Sequence, residues 1–166
     1  APADAVIKLL MPGDEVIVSN DLYGGTYRLM TKVFENYGIK FHFISMQDAG
    51  NIAAYINDKT KMVWIETPTN PLLNVIDIAA SAAICKAHKL LLVCDNTFAS
   101  PALQRPLEHG ADLVMHSAPK YLNGHSDMVG GMLVVGDNTE LAEQLAFLQN
   151  SVGAVQGPFD SFQIGR

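Results

Sequence analysis

One lysine of this chain stands where chemistry can use it. In Leu113–Asp127, L-V-M-H-S-A-P-K-Y-L-N-G-H-S-D, a short apolar run from Leu113 to Met115 stops abruptly, and Lys120 follows among hydroxyls, amides and imidazoles. An amine at the carboxyl end of a buried strand, away from any solvated helix face, is what condensation with a carbonyl requires. Most lysines in strand-to-loop turns only steady a loop, because perturbed lysines are the rare tail of their distribution. What singles out Lys120 is the polar residues that follow other apolar runs. Thr67-Pro68-Thr69-Asn70-Pro71 comes after Met62–Glu66, and Asp95-Asn96-Thr97 comes after Leu90–Cys94.

Together these types suit pyridoxal phosphate, with Lys120 as the Schiff-base amine. A carboxylate such as Asp95 would meet the protonated ring nitrogen and keep its proton in place, which makes the ring an electron sink. Asn70 can donate to the phenolic oxygen. In Asp21-Leu22-Tyr23-Gly24-Gly25-Thr26-Tyr27-Arg28, the flat face of Tyr23 can stack on the ring. Arg28, early in the following helix, is a poor partner for the helix dipole, which points to pairing with Glu66 or to a role toward substrate. Each residue also has a plainer reading: Asp95 as a cap, Tyr23 as a turn residue, Thr69-Asn70-Pro71 as a rigid turn. Taken singly, none is specific.

The elements that must position them alternate in period. Short apolar runs predict strands at Glu15–Ser19, Lys40–Ser45, Met62–Glu66, Leu90–Asp95, Leu113–His116 and Met132–Val135, mostly of the kind buried on both faces. Helical spacing occupies Thr26–Tyr37, Asn51–Asn57, Ile76–His88 and Thr139–Asn150, with Gly and Pro at the joins. Strand and helix in repetition predict an α/β fold, a mostly parallel sheet sandwiched by helices. In such sheets ligands collect outside the carboxyl ends of the strands. Three successive strands would then bring Asn70, Asp95 and Lys120 to one rim.

At 166 residues the chain is long enough for one domain with a real core. With 49% hydrophobic and only 17% charged residues its polar skin is thin, and such surfaces are often completed by another domain or subunit. A formal net charge of -6 argues against nucleic acid or an anionic membrane as partner. Cys85 and Cys94 lie in apolar segments and read as buried free thiols in a reducing cytosol, not as a disulfide. Ala1 to Leu10 make neither a signal peptide nor a membrane span. His116, His125 and Asp127 show no metal-ligand spacing and read as hydrogen-bonding partners in a polar loop. Gly124 and Gly130-Gly131 do not form a dinucleotide-binding fingerprint.

The motifs D-L-Y-G-G-T-Y-R, W-I-E-T-P-T-N-P, C-D-N-T-F-A-S-P, Q-R-P-L-E-H-G-A-D-L-V-M-H-S and K-Y-L-N-G-H-S-D-M-V-G-G follow in order through essentially the whole chain. In this combination the sequence resembles the Cys/Met metabolism (trans-sulfuration) family of pyridoxal-phosphate enzymes. The resemblance implies the large domain of aspartate-aminotransferase type (fold type I). It also implies a β/γ-elimination or γ-replacement on cystathionine or O-acyl-homoserine, a small amino-acid substrate, a cytoplasmic setting and a homo-oligomer built as a dimer of dimers. By resemblance Lys120 is the Schiff-base lysine, Asp95 the partner of the ring nitrogen, and Tyr23 a stacking residue that also assists proton transfer. Asn70 lies near the phenolic oxygen, Thr97 beside the ring and Ser117 at the phosphate. Glu66 and Arg28 are substrate or supporting residues. Gly25 stands where methionine gamma-lyases carry a cysteine, which favours the cystathionine enzymes.

One departure matters. Where the family has Ser-x-Thr-Lys, this chain has Ser117-Ala118-Pro119-Lys120, and proline offers neither a hydroxyl nor an N–H. A lost hydrogen bond to a charged group is worth roughly 1.5–3 kcal/mol, or about ten- to a hundredfold in affinity. Ala1-Pro2-Ala3-Asp4-Ala5 resembles the start of the helix that follows the family's Ser-Gly-Met phosphate loop, so that loop, a partner subunit's tyrosine and arginine, and the carboxylate-clamping arginine of the C-terminal domain are expected outside these residues. The expectation is that 1–166 is the central part of a catalytic domain and turns over slowly or not at all alone. A cofactor-binding or oligomer-forming protein of the same fold without catalysis is the reading from a different class.

Overall fold

The structure is a computed structural model and describes residues 2–166; Ala1, the first residue of the stretch likened to a helix start, lies outside the described residues. Six strands form one sheet: β1 (Glu15–Ser19), β2 (Lys40–Ile44), β3 (Thr60–Glu66), β4 (Leu91–Asp95), β5 (Leu113–Ser117) and β6 (Gly131–Val135). Their order is β2-β1-β3-β4-β5-β6. All neighbours pair in parallel except β5 and β6, which are antiparallel. Every strand lies within two residues of the run that predicts it. The apolar runs are nearly continuous because β1, β3, β4 and β5 are buried almost throughout.

Side chains alternate across the sheet, and the alternation divides the core in two. Val16, Val18, Met62, Trp64, Val93, Leu113 and Met115 face one side, with Val6, Ile7, Met30, Leu141 and Leu145. These last belong to α1 (Pro2–Ile7), α2 (Gly24–Lys32) and α5 (Thr139–Val152). Ile17, Val63, Ile65, Leu92 and Cys94 face the other side, against Ile78, Ala82 and Cys85 of α3 (Ile78–His88). The short α4 (Ser100–Leu103) and α6 (Pro158–Ile164) have no counterpart in the spacing argument, because neither holds enough turns to show a period.

The helices depart from expectation at their ends for local reasons. The helix expected over Thr26–Tyr37 starts earlier, at Gly24, and breaks at Val33 (φ −116°, ψ −65°) into a 3₁₀ turn over Phe34–Tyr37. The stretch expected as helix over Asn51–Asn57 is a 3₁₀ segment over Ala49–Tyr55, opened by the Asp48 carboxylate accepting from Gly50 N–H at 2.9 Å. Helix α3 starts at Ile78 and not Ile76 because Asp77 is extended and its carboxylate accepts from Ala80 N–H at 2.9 Å. Asp77→Ala leaves that N–H without its cap and is expected to cost about 1 kcal/mol in urea unfolding; an unchanged midpoint would mean that solvent satisfies the donor equally well.

Cys85 and Cys94 are free and buried, as their apolar settings predict. Burial pushes the Cys85 thiol up to about 12 and that of Cys94 upward as well, so neither offers a ready thiolate. Among the described residues no helix is long and apolar enough to cross a membrane.

Candidate active site

Strand parity decides which side chains can meet. Residues 62, 64 and 66 of β3, 93 and 95 of β4, and 113, 115 and 117 of β5 share the face covered by α1 and α2. Glu66, Asp95 and Ser117 therefore emerge at the carboxyl ends of three adjacent parallel strands, on one face. They line a cavity of about 390 Å³ together with Tyr23, Gly25, Asn70, Thr97, Met115 and Lys120, with Pro2 and Ala3 of α1 forming another wall. That volume suits a small-molecule site. A larger hollow of about 610 Å³ lies between α1, β6 and α5, but its lining is mostly aliphatic and holds no acid, base or nucleophile.

Asp95 is the best-defined member. It is 5% exposed, and burial pushes its carboxyl above the usual range while two bonds from Thr97 pull it down. Both bonds fall on Oδ1, from Thr97 N–H at 3.0 Å and from the Thr97 hydroxyl at 2.5 Å. Oδ2 makes no hydrogen bond among the described residues, so it is available to a cationic N–H in the cavity. The Thr97 hydroxyl also accepts from Ser117 N–H at 2.9 Å. Thr97 thus links the ends of β4 and β5, and its hydroxyl is largely spoken for within the protein. The Ser117 hydroxyl has no protein partner among the described residues and remains free for a ligand.

Glu66 lies beside Asp95, its register partner across β3 and β4. Its carboxyl is pushed up to about 8, chiefly by burial and further by the neighbouring Asp95 and Asp21 charges. Backbone N–H groups of Tyr23 and Asn70 oppose that rise, the former donating to Glu66 Oε2 at 2.8 Å. Burial raises both carboxyls, that of Glu66 to about 8, as expected when two acids share a dry site.

Three expectations are modified. Lys120 lines the cavity but is exposed, in the turn after β5, so the burial expected of it is not found. Arg28 is exposed on α2, is not among the cavity-lining residues and forms no ion pair with Glu66 among the described residues; the Tyr23 N–H occupies that carboxyl instead. His125 behaves as a loop hydrogen-bonding residue, its Nδ1 lying 2.8 Å from the Asn123 carbonyl. His116 does not: it belongs to β5, is 4% exposed, and its Nδ1 has no partner among the described residues. Parity turns it to the opposite face from Asp95.

Tyr23 is half exposed, and its ring lies over Gly25, where an added Cβ would stand 2.3 Å from Tyr23 Cε1. The glycine is what lets the ring lie there. Gly25→Ala is expected to displace the ring and weaken cofactor binding by up to about tenfold, the worth of one aromatic stacking contact. Absorbance titration with pyridoxal phosphate measures this, and an unchanged affinity would show that the ring position is immaterial.

These residues fit pyridoxal phosphate on three counts: a buried carboxylate with one oxygen free, an aromatic face at the mouth, and, on the same wall, an amine and a hydroxyl without side-chain hydrogen bonds among the described residues. Pro119 remains the misfit, since the turn it occupies supplies no second hydroxyl. What sequence reading missed is Asp21, whose carboxylate joins the loop carrying Tyr23 to the loop carrying Asn70 through Thr69 and Leu72. Nothing in its local sequence signals a contact across that separation.

The family model described as Cys/Met metabolism PLP-dependent enzyme matches residues 1–166. The chain is 50% identical to a cystathionine beta-lyase of Coxiella burnetii, covering 100% of this chain and 43% of the relative. It is 48% identical to a cystathionine gamma-synthase of Mycobacterium bovis, covering 98% and 42%. The crystal structure of a cystathionine gamma-lyase from Lactobacillus plantarum complexed with L-serine superimposes with a TM-score of 0.95 at 46% identity, over 98% of this chain and 43% of that one. The chain therefore spans less than half the length of these relatives. By fold, by rim residues and by similarity over its whole length, the chain belongs to the Cys/Met metabolism family of pyridoxal-phosphate-dependent enzymes.

Proposed function

We propose that residues 1–166 are the central part of the cofactor-binding catalytic domain of a trans-sulfuration enzyme, one that acts on cystathionine or O-acyl-homoserine by β/γ-elimination or γ-replacement. The observation that carries the reading is the convergence of Lys120, Asp95 and Tyr23 on one cavity at the carboxyl rim of the sheet. When bound, pyridoxal phosphate supplies the electron sink that makes the carbon bearing the substrate amine acidic. Lys120 Nζ would hold the cofactor and, once free, would serve as the base that takes the proton from that carbon and returns it further along the chain. Asp95 Oδ2 would hold the proton on the cofactor's ring nitrogen, and Thr97 fixes the carboxylate by holding Oδ1. Tyr23 covers the ring face and assists proton transfer. Asn70 would donate to the phenolic oxygen and Ser117 to the phosphate. Glu66 holds the Tyr23 and Asn70 backbones in place, and Arg28 is left for substrate or for a neighbouring part of the protein.

The proposal includes an N-terminal segment and a C-terminal domain beyond these residues, a homo-oligomer, and a cytoplasmic setting; the relatives' greater length supports the first. Product analysis of the complete protein loaded with pyridoxal phosphate tests the reading. Cysteine with 2-oxobutanoate and ammonia from cystathionine means γ-elimination, and homocysteine with pyruvate and ammonia means β-elimination. Cystathionine formed from O-acyl-homoserine and cysteine means γ-replacement. A protein that binds the cofactor on Lys120 yet gives none of these supports the non-catalytic reading, which Pro119 and the exposure of Lys120 favour.

A further inference from the structure

The loop that carries Asn70 is built in a way that packing does not explain. Leu72, Leu73 and Val75 are 69%, 60% and 69% exposed, so its apolar side chains contribute little burial. Leu73 sits at φ +57°, in the left-handed region that L side chains rarely adopt. A loop with that conformation and so little apolar burial relies on a polar tie. The tie is Asp21, two residues before Tyr23 on a different strand's loop. Its Oδ2 accepts from the Thr69 hydroxyl, from Leu72 N–H at 3.1 Å and, at the limit of bonding, from Asn74 Nδ2 at 3.5 Å. Thr69 in turn closes the loop: its hydroxyl accepts from Asn74 N–H at 2.9 Å, and its N–H donates to the Asn74 carbonyl at 3.0 Å. Gln47 braces the same Asn74 from outside, its amide donating to Oδ1 at 2.9 Å. Thr69 is 1% exposed, so breaking this set leaves a buried hydroxyl unpaired.

We propose that Asp21 is a positioning residue, a carboxylate clamp that fixes the Thr69–Asn74 loop against the Tyr23 loop so that Asn70 meets the cofactor's phenolic oxygen. The inference rests on the reading of Asn70 given above. Asp21 is not among the residues lining the cavity; it acts through Thr69 and Leu72, the residues on either side of Asn70-Pro71. Both Tyr23 and Asn70 are thereby set by one side chain, and the register between stacking face and phenolic donor is fixed by a single oxygen.

The test uses the complete protein loaded with pyridoxal phosphate and reads the visible band of the lysine-linked cofactor against pH. A donor at the phenolic oxygen stabilises its negative charge most in the deprotonated chromophore, so loss of alignment raises the midpoint of that titration. Asp21→Ala is expected to raise it by about one pH unit, the equivalent of one ordinary hydrogen bond, and to lower kcat more than it raises KM. Asp21→Asn keeps an acceptor and should recover most of the shift. Thr69→Val should raise the midpoint by a similar amount and add little to Asp21→Ala, because both break the same tie; it also carries the test if Asp21→Ala does not fold. A midpoint unmoved in every folded variant, with only the melting temperature lowered, overturns the proposal and leaves the cofactor reading intact. Absence of a visible band in the wild-type protein overturns both.

Discussion

Lys120→Ala is expected to abolish covalent attachment of pyridoxal phosphate and to lower turnover by roughly 10⁴-fold or more. The side chain is asked to do two jobs, holding the cofactor as a nucleophile and moving protons as a general base, and the second alone contributes about 10²–10⁴-fold. Cofactor affinity should fall less than activity, because Asp95 Oδ2, the Tyr23 face and the Ser117 hydroxyl remain in the same cavity. The fold should be indifferent: Lys120 is exposed, and only its backbone is engaged, its N–H donating to the Ser117 carbonyl at 3.3 Å and its carbonyl accepting from Gly124 N–H at 2.8 Å. The comparison needs three readings on one preparation: the visible spectrum, the product assay, and a thermal melt. A variant that melts like the wild type and still turns over at a tenth of its rate would remove Lys120 from the centre of the mechanism.

Glu66→Gln is expected to stabilise the cofactor-free chain at alkaline pH and to leave it almost unchanged near pH 4. The folded Glu66 carboxyl is raised from 4.5 to about 8, first by burial and then by Asp95 and Asp21, against the pull of Tyr23 and Asn70 N–H. Between those two values the folded chain holds a proton that the unfolded chain has released. Stability therefore falls as pH rises through that window, and no further loss follows above it. The wild-type loss across the window is on the order of a few kcal/mol; glutamine removes it while keeping a carbonyl oxygen for the Tyr23 N–H. Urea unfolding at pH 5 and pH 9 measures the difference. Parallel pH profiles for wild type and variant would show that Glu66 is ionised in the folded chain at neutral pH.

The strands were legible because each apolar run is short, mostly buried on both faces and bounded by turn residues; Val16 to Val18 and Leu92 to Cys94 have no polar residue among them. The rim followed from the same pattern, since Asn70, Asp95 and Lys120 are simply what comes next on consecutive strands. Helix limits were less legible. The start of α2 is set by Tyr23 N–H bonding Glu66 across 43 residues, and no local spacing encodes that contact. The Asp21 clamp escaped for the same reason, spanning 51 residues to Leu72. Lys120 shows the opposite case: its place on the rim was readable, but its exposure depends on what stands above the rim, which strand order does not specify. Arg28 was read as a partner of Glu66 or of substrate because it suits the dipole of its own helix poorly, whereas the Glu66 carboxyl has a nearer partner in the Tyr23 backbone.

The central claim is that the amine on this rim, and no other, holds the cofactor. Borohydride reduction of the complete protein loaded with pyridoxal phosphate, followed by peptide mass mapping, tests it most directly. The expected result is a single pyridoxyl label on the peptide containing Lys120, lost in Lys120→Ala. A label on any other lysine, or none on a folded protein at saturating cofactor, would contradict it.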